Sequence, residues 1–239
     1  MRTKRTIGLI LIGCVLTALA IVVGLTAWLG PSRGAVVAVV MAVFVVAVYV
    51  TILGPWHRRW GATLEEASAA MPGDEILRSD APSTTRAVTI DAAPHDVFPW
   101  LVQIGYGRGG WYSYDWIDND GRSSARSIDP ALQELAVGDM IEMMPGFGPV
   151  VQAIEPDRYI VSGNETDSWC LFLEPTSDGG TRLISRWRQD WQKSLGTYAW
   201  IAIVDPGAFL MEQKMLRTIR DLAQGSRSTK PTDAGESRA

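Results

Sequence analysis

Two unbroken apolar runs at the start of the chain constrain its folding more than any other feature. Thr6 to Pro31 carries no charged residue, and neither does Gly34 to Trp56. Each run is long enough to cross a hydrocarbon core of ~30 Å as a helix, which takes about 20 residues. The piece between them, "GPSRG", has room only for a tight turn. In lipid every backbone polar group must be paired within its own segment, so two spanning helices are expected. This predicts an N-terminal transmembrane hairpin over residues 1–56, with spans at about 6–30 and 34–55. A cleaved leader is disfavoured. The basic start "RTKR" and the Ala18-x-Ala20 pair fit one, but the run continues to Trp28-Leu29 and a second follows at once.

Basic residues flank the outer ends of the two runs: Arg2, Lys4 and Arg5 before the first, Arg58 and Arg59 after the second, with only Arg33 in the turn. Positive charge stays on the cytoplasmic side, so a multi-pass protein of the inner (cytoplasmic) cell membrane is expected, with both termini and the soluble part in the cytoplasm. Trp28 and Trp56 stand where interfacial anchors stand. Ala20-x-x-x-Gly24 and Ala38-x-x-x-Ala42 are small-residue pairs of the kind that let helices approach. Neither span holds an ionisable residue inside it, which argues for a plain anchor over an ion or proton path.

The remainder is acidic. Four of the 22 basic residues lie before position 57 and all 26 acidic ones after position 64, leaving 18 against 26, a net of about −8. That disfavours nucleic acid as a partner. Cys14 lies in the first run and Cys170 in the soluble part, so neither a disulfide nor a cysteine metal site is expected.

Residues 57–83 read as a polar linker, helical around Leu64 to Ala70, and the tail 225–239 lacks large apolar residues and reads as disordered. Between them, 84–224 forms one domain. "TTRAVTI" (Thr84 to Ile90) alternates and is β-branched, so it predicts a strand. In "DAAPHDVFPWLVQIG", Val97, Phe98, Leu101 and Val102 share one helical face, with Pro94 and Asp96 in the first turn. Five further strands are expected at Asp139 to Met143, Pro149 to Ile154, Tyr159 to Gly163, Trp169 to Glu174 and Thr181 to Trp191. A long helix from Pro206 to Ala223 follows, stopped by Gly225. Six antiparallel strands around one closing helix give an α+β domain.

This order resembles the START-like, or SRPBCC, superfamily of helix-grip folds, which includes polyketide cyclases/dehydrases and lipid-transport proteins. The likeness rests on "TRAVTIDAAPHDVFPWLVQIG", "GRGGWYSYDWIDN" and "DPGAFLMEQKML" and covers roughly Thr84 to Ala223. Bacterial members share the pattern A-x-x-x-V-W-P-W-L-x-Q-I-G, and here Phe98 stands in place of the first tryptophan. The resemblance implies a curved antiparallel sheet gripping the C-terminal helix around a cavity. It brings no catalytic residue.

Gly105-x-Gly107-x-x-Gly110 matches a dinucleotide fingerprint only by letter, because a helix precedes it and aromatic residues follow it. The glycines instead suit a sharp turn. Trp111, Tyr112, Tyr114 and Trp116 suit the wall of an apolar pocket with polar tips, or a small core. Met143 and Trp187 join them as expected lining residues. On the last strand, Leu183, Ser185, Trp187, Gln189 and Trp191 share the inward face, and Arg182, Ile184, Arg186, Arg188 and Asp190 the outward one. Arg186, or Arg188, is a candidate for a ligand carboxylate or a lipid phosphate, and either one buried without a carboxylate partner would favour that role. "SLGTYAWIAIVDPGAFLM" suits a lid, a membrane-grazing segment, or a strand end leading into the helix.

The two histidines, His57 and His95, do not look catalytic, and no His, Cys and carboxylate cluster suits a metal. No catalytic residue, cofactor or metal is assigned. The expectation is a membrane-anchored, non-enzymatic holder of a hydrophobic small molecule or lipid. A cyclase/dehydratase-type enzyme on a polyketide-like or other apolar substrate, using Tyr112, Tyr114, Asp115 or Glu142, is the first alternative. A structural partner of another membrane protein is the second.

Overall fold

Apolar residues dominate the N-terminal part of the chain, and residues 2–58 are helical except for a break at Gly30. The structure, a computed structural model, describes residues 2–78, 80–190 and 194–229. Helix α1 (Arg2–Leu29) meets α2 (Pro31–Val48) at Gly30, whose φ of 80° reverses the chain before Pro31 opens the next helix. At Gly34 the two helices come so close that a Cβ would run into the Thr26 and Leu25 backbone. Helix α2 passes through one π-helical turn, Tyr49–Leu53, into α3 (Gly54–Arg58), making one continuous helix. Among the described residues, one helix is long and apolar enough to cross a membrane, Pro31–Arg58; the described apolar stretch of the first run, Leu16–Leu29, is shorter. The expected two-span hairpin is thereby corrected to one candidate span. It also runs past the expected end at 55, to a C-cap at Arg59 whose amide donates to the Trp56 carbonyl.

The domain is α+β. Strands β1 (Ser83–Ile90), β2 (Val150–Glu155), β3 (Tyr159–Gly163), β4 (Asp167–Pro175) and β5 (Thr181–Gln189) form one antiparallel sheet in the order β1-β5-β4-β3-β2. Among the described residues there are five strands, not six. The expected strand at Asp139 to Met143 makes only an isolated bridge, Met140 to Val150, and folds back through a second, Met144 to Phe147. Pro145, Gly146, Gly148 and Pro149 interrupt it, and a proline contributes no ladder donor. The expected strand through Trp191 ends at Gln189, and Trp191 lies outside the described residues.

The C-terminal helix α7 (Leu195–Thr229) is longer at both ends than expected. It takes Pro206 in its interior and continues through Gly225, while residues 230–239 of the expected tail lie outside the described residues. The segment read as lid or strand end is thus the first turns of this helix. Met215, Leu216, Ile219 and Ala223 of α7 are buried with Val88, Ile90, Leu171, Leu173 and Leu183 of the sheet and with Val97, Phe98, Trp100 and Leu101 of α5 (Pro94–Val102). Alternate strand residues meet one stripe of α7 in this core, while the strand residues between them are buried on the other face of the sheet.

Residues 61–78, expected as a linker, are a strap across the opposite face of the sheet. Its short helix α4 (Leu64–Ser68) is fixed by a capping box in which the Thr63 hydroxyl accepts from the Glu66 amide and the Glu66 carboxylate accepts from the Thr63 amide. The strap covers a second apolar cluster of Met71, Ala87, Val161, Cys170 and Ile184. The outward arginines of β5 reach into it, as described below. Gly61 must be glycine: its φ is 73° and a Cβ would strike the Ala87 carbonyl oxygen.

Candidate functional site

The inner face of the sheet carries an aromatic row. Register pairs Trp169 of β4 with Trp187 of β5, and their rings lie 5.5 Å apart. Trp111, from the loop after α5, stacks on the other side of Trp169 at 5.8 Å with 30° between the planes. The row faces the side of the sheet that α7 closes. Polar atoms are threaded through it. Trp169 Nε1 donates to the Ser185 hydroxyl (3.0 Å), which donates to Glu212 of α7 (2.7 Å), and Glu212 also pairs with Arg86 of β1. Arg86 and Ser185 are direct register partners, so this chain crosses from the sheet to the helix through the interior.

Two buried donors beside this row have no hydrogen-bond partner: the Trp111 indole nitrogen and the hydroxyl of Ser162, which pairs across β3 and β4 with Trp169. Unmet buried polar groups are rare and costly, about 1–3 kcal/mol each.

The loop that presents Trp111 is stiff. Gly105 and Gly110 exchange backbone hydrogen bonds, and at Gly110, with φ 83°, a Cβ would press on Ser124. The glycines therefore make a turn, as the sequence implied. Tyr112, at φ 54°, points into the core against Trp100, and its hydroxyl takes a 2.6 Å hydrogen bond from Gln103. Burial pushes that hydroxyl up to about 12, with the Gln103 hydrogen bond pulling the other way. Tyr114 is half-buried, with the Lys214 ammonium of α7 4.1 Å from its ring centre, which ties loop to helix.

The remaining expected lining residues fall elsewhere. Trp116, in α6 (Asp115–Asp118), is 55% exposed; α6 lies against α1. Met143 is exposed in the 139–149 hairpin, whose glycines and prolines turn it off the sheet. Arg186 is buried but engaged by protein on every side. Its guanidinium donates to Thr85 Oγ1, the Ala69 and Glu66 carbonyls and, at 2.7 Å, the Asp74 carboxylate. The carboxylate partner whose absence would have favoured a bound anion is present. Arg182 holds Glu66 at 2.6 Å and keeps its carboxyl below the usual range, and Arg188 donates to the Asp74 and Arg78 carbonyls. These three arginines stitch the strap to the sheet.

One further residue gave no signal in the sequence. Asp118 is 94% buried, and neither its carboxylate nor the Ser113 hydroxyl has a hydrogen bond of good geometry. Burial first, and the neighbouring Asp115 charge second, push the Asp118 carboxyl up to about 6; Ser113 and the local amides only partly offset this. It is one of several aspartates in a loop, with no spacing to single it out. Asp115 itself accepts from Ser124. No group of three or more metal-ligating side chains occurs among the described residues.

No family model matches the chain, and no curated protein matches it. Among solved structures it is similar to the Polyketide_cyc-like protein Cgl2372 from Corynebacterium glutamicum at 13% identity and a TM-score of 0.32, over 66% of this chain and 100% of that one. It is similar to protein SSP2350 from Staphylococcus saprophyticus at 10% identity and a TM-score of 0.38, over 58% and 89%. Protein MLL2253 from Mesorhizobium loti matches at 15% identity and a TM-score of 0.36, over 63% and 100%. At such low TM-scores these likenesses carry no weight for the function of this chain, which rests on its own side chains.

Proposed function

We propose that the chain is a helix-grip domain of the START-like type that holds a hydrophobic small molecule or lipid between its sheet and α7, anchored to the cytoplasmic membrane by the apolar helix Pro31–Arg58. One observation carries the reading. The Trp111–Trp169–Trp187 row is apolar and aromatic, yet Trp111 Nε1 and Ser162 Oγ are buried beside it without partners. Apolar walls with a few unmet donors suit an apolar molecule bearing a hydroxyl or carbonyl oxygen. Trp111, Trp187 and Tyr114 are the residues proposed to meet it. Tyr112, bonded within the core, and Arg186, saturated by the strap, are left out of that set, and so are the exposed Trp116 and Met143.

The test is to purify the full chain in mild detergent, extract it with organic solvent and analyse the extract by mass spectrometry. A stoichiometric apolar molecule, lost in Trp111→Ala, is the expected result. Repeated empty preparations, with no displacement of an apolar fluorescent probe by any lipid extract, would sink the proposal.

Asp118 favours a second reading, a cyclase/dehydratase-type enzyme, because a carboxyl near 6 is matched to proton transfer at neutral pH. Turnover of an apolar substrate that disappears in Asp118→Asn, with the native fold retained by circular dichroism, would select it over the holder.

A further inference from the structure

The last turns of the long apolar helix are built into the domain, and they carry a polar cluster inside an aromatic box. Tyr49 and His57 are eight residues apart. Two α-turns take about 7.2 residues, and the wider π-helical turn at Tyr49–Leu53 absorbs the difference, so both side chains reach the same face. The Tyr49 hydroxyl lies 3.0 Å from His57 Nε2 and 3.1 Å from Asp205 Oδ2 of α7. Arg58 holds the same carboxylate oxygen at 3.3 Å.

Hydrogen-bond logic fixes the histidine. The tyrosine hydroxyl has one proton, and an aspartate can only accept, so that proton goes to Asp205. His57 Nε2 must then bring its own proton to the tyrosine oxygen. In the neutral ring this leaves Nδ1 with a bare lone pair. His57 is 3% exposed, and Nδ1 has no partner.

A complementary donor stands beside it. Arg86 is 2% exposed; its Nε donates to the His57 carbonyl oxygen at 2.9 Å and its Nη1 pairs with Glu212. Nη2 lies on the same edge of the guanidinium fork as Nε, the edge that meets the His57 backbone, and it too is buried without a partner. The surroundings are aromatic. Phe209 lies 5.3 Å from the His57 ring and 5.3 Å from the Arg86 guanidinium, with Trp56 and Trp60 edge-on to it.

We propose that His57 Nδ1 and Arg86 Nη2 together bind the hydroxyl of a long-chain alcohol at the foot of the apolar helix, a site separate from the tryptophan row. A hydroxyl donates to the bare nitrogen and accepts from the guanidinium, satisfying both. A carboxylate faces the lone pair with another, an ammonium faces Arg86 with like charge, and an alkane satisfies neither atom. The charges nearby already balance, Arg58 and Arg86 against Asp205 and Glu212, so nothing in the cluster calls for an ion. The aromatic box and the 28-residue apolar helix that leads to it favour a chain-bearing alcohol over a lone water. The inference rests on the reading of this protein as a holder of apolar molecules and names the chemistry of their polar end.

The experiment uses the full chain in detergent micelles with 15N-labelled histidine, and His95→Gln, an exposed position, assigns the His57 signals. 1-Decanol, decane and decanoate are titrated in parallel. The expected result is a saturable shift of the His57 Nδ1 resonance with 1-decanol alone. Arg86→Lys, which keeps the charge facing Glu212, weakens that binding about tenfold, the effect of one lost hydrogen bond to a buried group. An Nδ1 that already reads as hydrogen-bonded without additive, and does not move with 1-decanol, means a water fills the place and overturns the inference. If decane and decanol then still displace an apolar fluorescent probe equally, the holder reading survives that failure. Absence of any apolar binding at all ends both.

Discussion

Arg186 is a cation removed from water and fully bonded to a strap that is otherwise a string of carbonyls. Its partner Asp74 is 27% exposed, so this is a buried pair with one wet edge. Breaking it by deletion leaves a carboxylate and two carbonyls without their donor. Arg186→Met is expected to cost about 3 kcal/mol, read from chemical unfolding of the full chain in detergent. Asp118 acts in the opposite sense. Its carboxyl sits at about 6 in the folded chain, above its ordinary value of 3.8. The folded state therefore binds the proton more tightly, and stability is highest below pH ~4 and falls as pH rises through about 6. Asp118→Asn is expected to raise stability at pH 7 by up to about 3 kcal/mol, the ceiling set by roughly two pKa units. The gain shrinks to nothing below pH ~4. A flat difference across that range would contradict the assignment. Cys170, whose thiol is pushed up to about 12 chiefly by burial, is expected to resist maleimide until the chain unfolds.

Among the elements, the strap is the one whose role sequence reasoning misread. Glu66 and Asp74 were visible as charges, and the β5 arginines as a face, but nothing in either pattern joins residues more than a hundred positions apart. The inner strands were legible because alternation is local: Tyr159–Gly163 has the bounds its residues imply, and β1 departs by one residue. Asp139 to Met143 has a comparable apolar content and fails as a strand, since pairing is decided by the glycines and prolines after it. Pro206 read as a helix start for a sound local reason, yet the helix runs through it from Leu195. Of the site, Trp111 was legible as an aromatic residue after the glycines and Trp187 from the inward face of the last strand, whereas Trp169 was read only as the start of a strand and Trp116, from the same loop as Trp111, is exposed. Tyr112 turns inward only through its positive φ. The strap itself offers two tests. Thr63→Ala removes the capping box and is expected to cost about 1 kcal/mol. Gly61→Ala combines a left-handed φ with a clash against the Ala87 carbonyl, so it is expected to lift the strap and open Cys170 to maleimide in the native state.

At the scale of the whole molecule, a long apolar helix and an α+β domain share residues rather than meeting through a spacer. Helix Pro31–Arg58 ends under α7, and the chain passes from Trp60 straight into a backbone hydrogen bond with Ala87 of β1. Membrane attachment through this helix predicts that the protein stays with the pellet in alkaline carbonate, and that a charged pair, Val43→Arg with Val46→Arg, releases it. A tag after Thr229 is expected to be cleaved by protease only in opened cells.

That seamless junction bears on how such a molecule can work. A cargo carrier that shuttles between two membranes needs a leash, a length of slack chain along which its basket can travel. Here the basket is riveted to its pole within a few residues. On the proposed reading such a holder would not ferry; its cargo would arrive from, and leave to, the immediate neighbourhood of the pole.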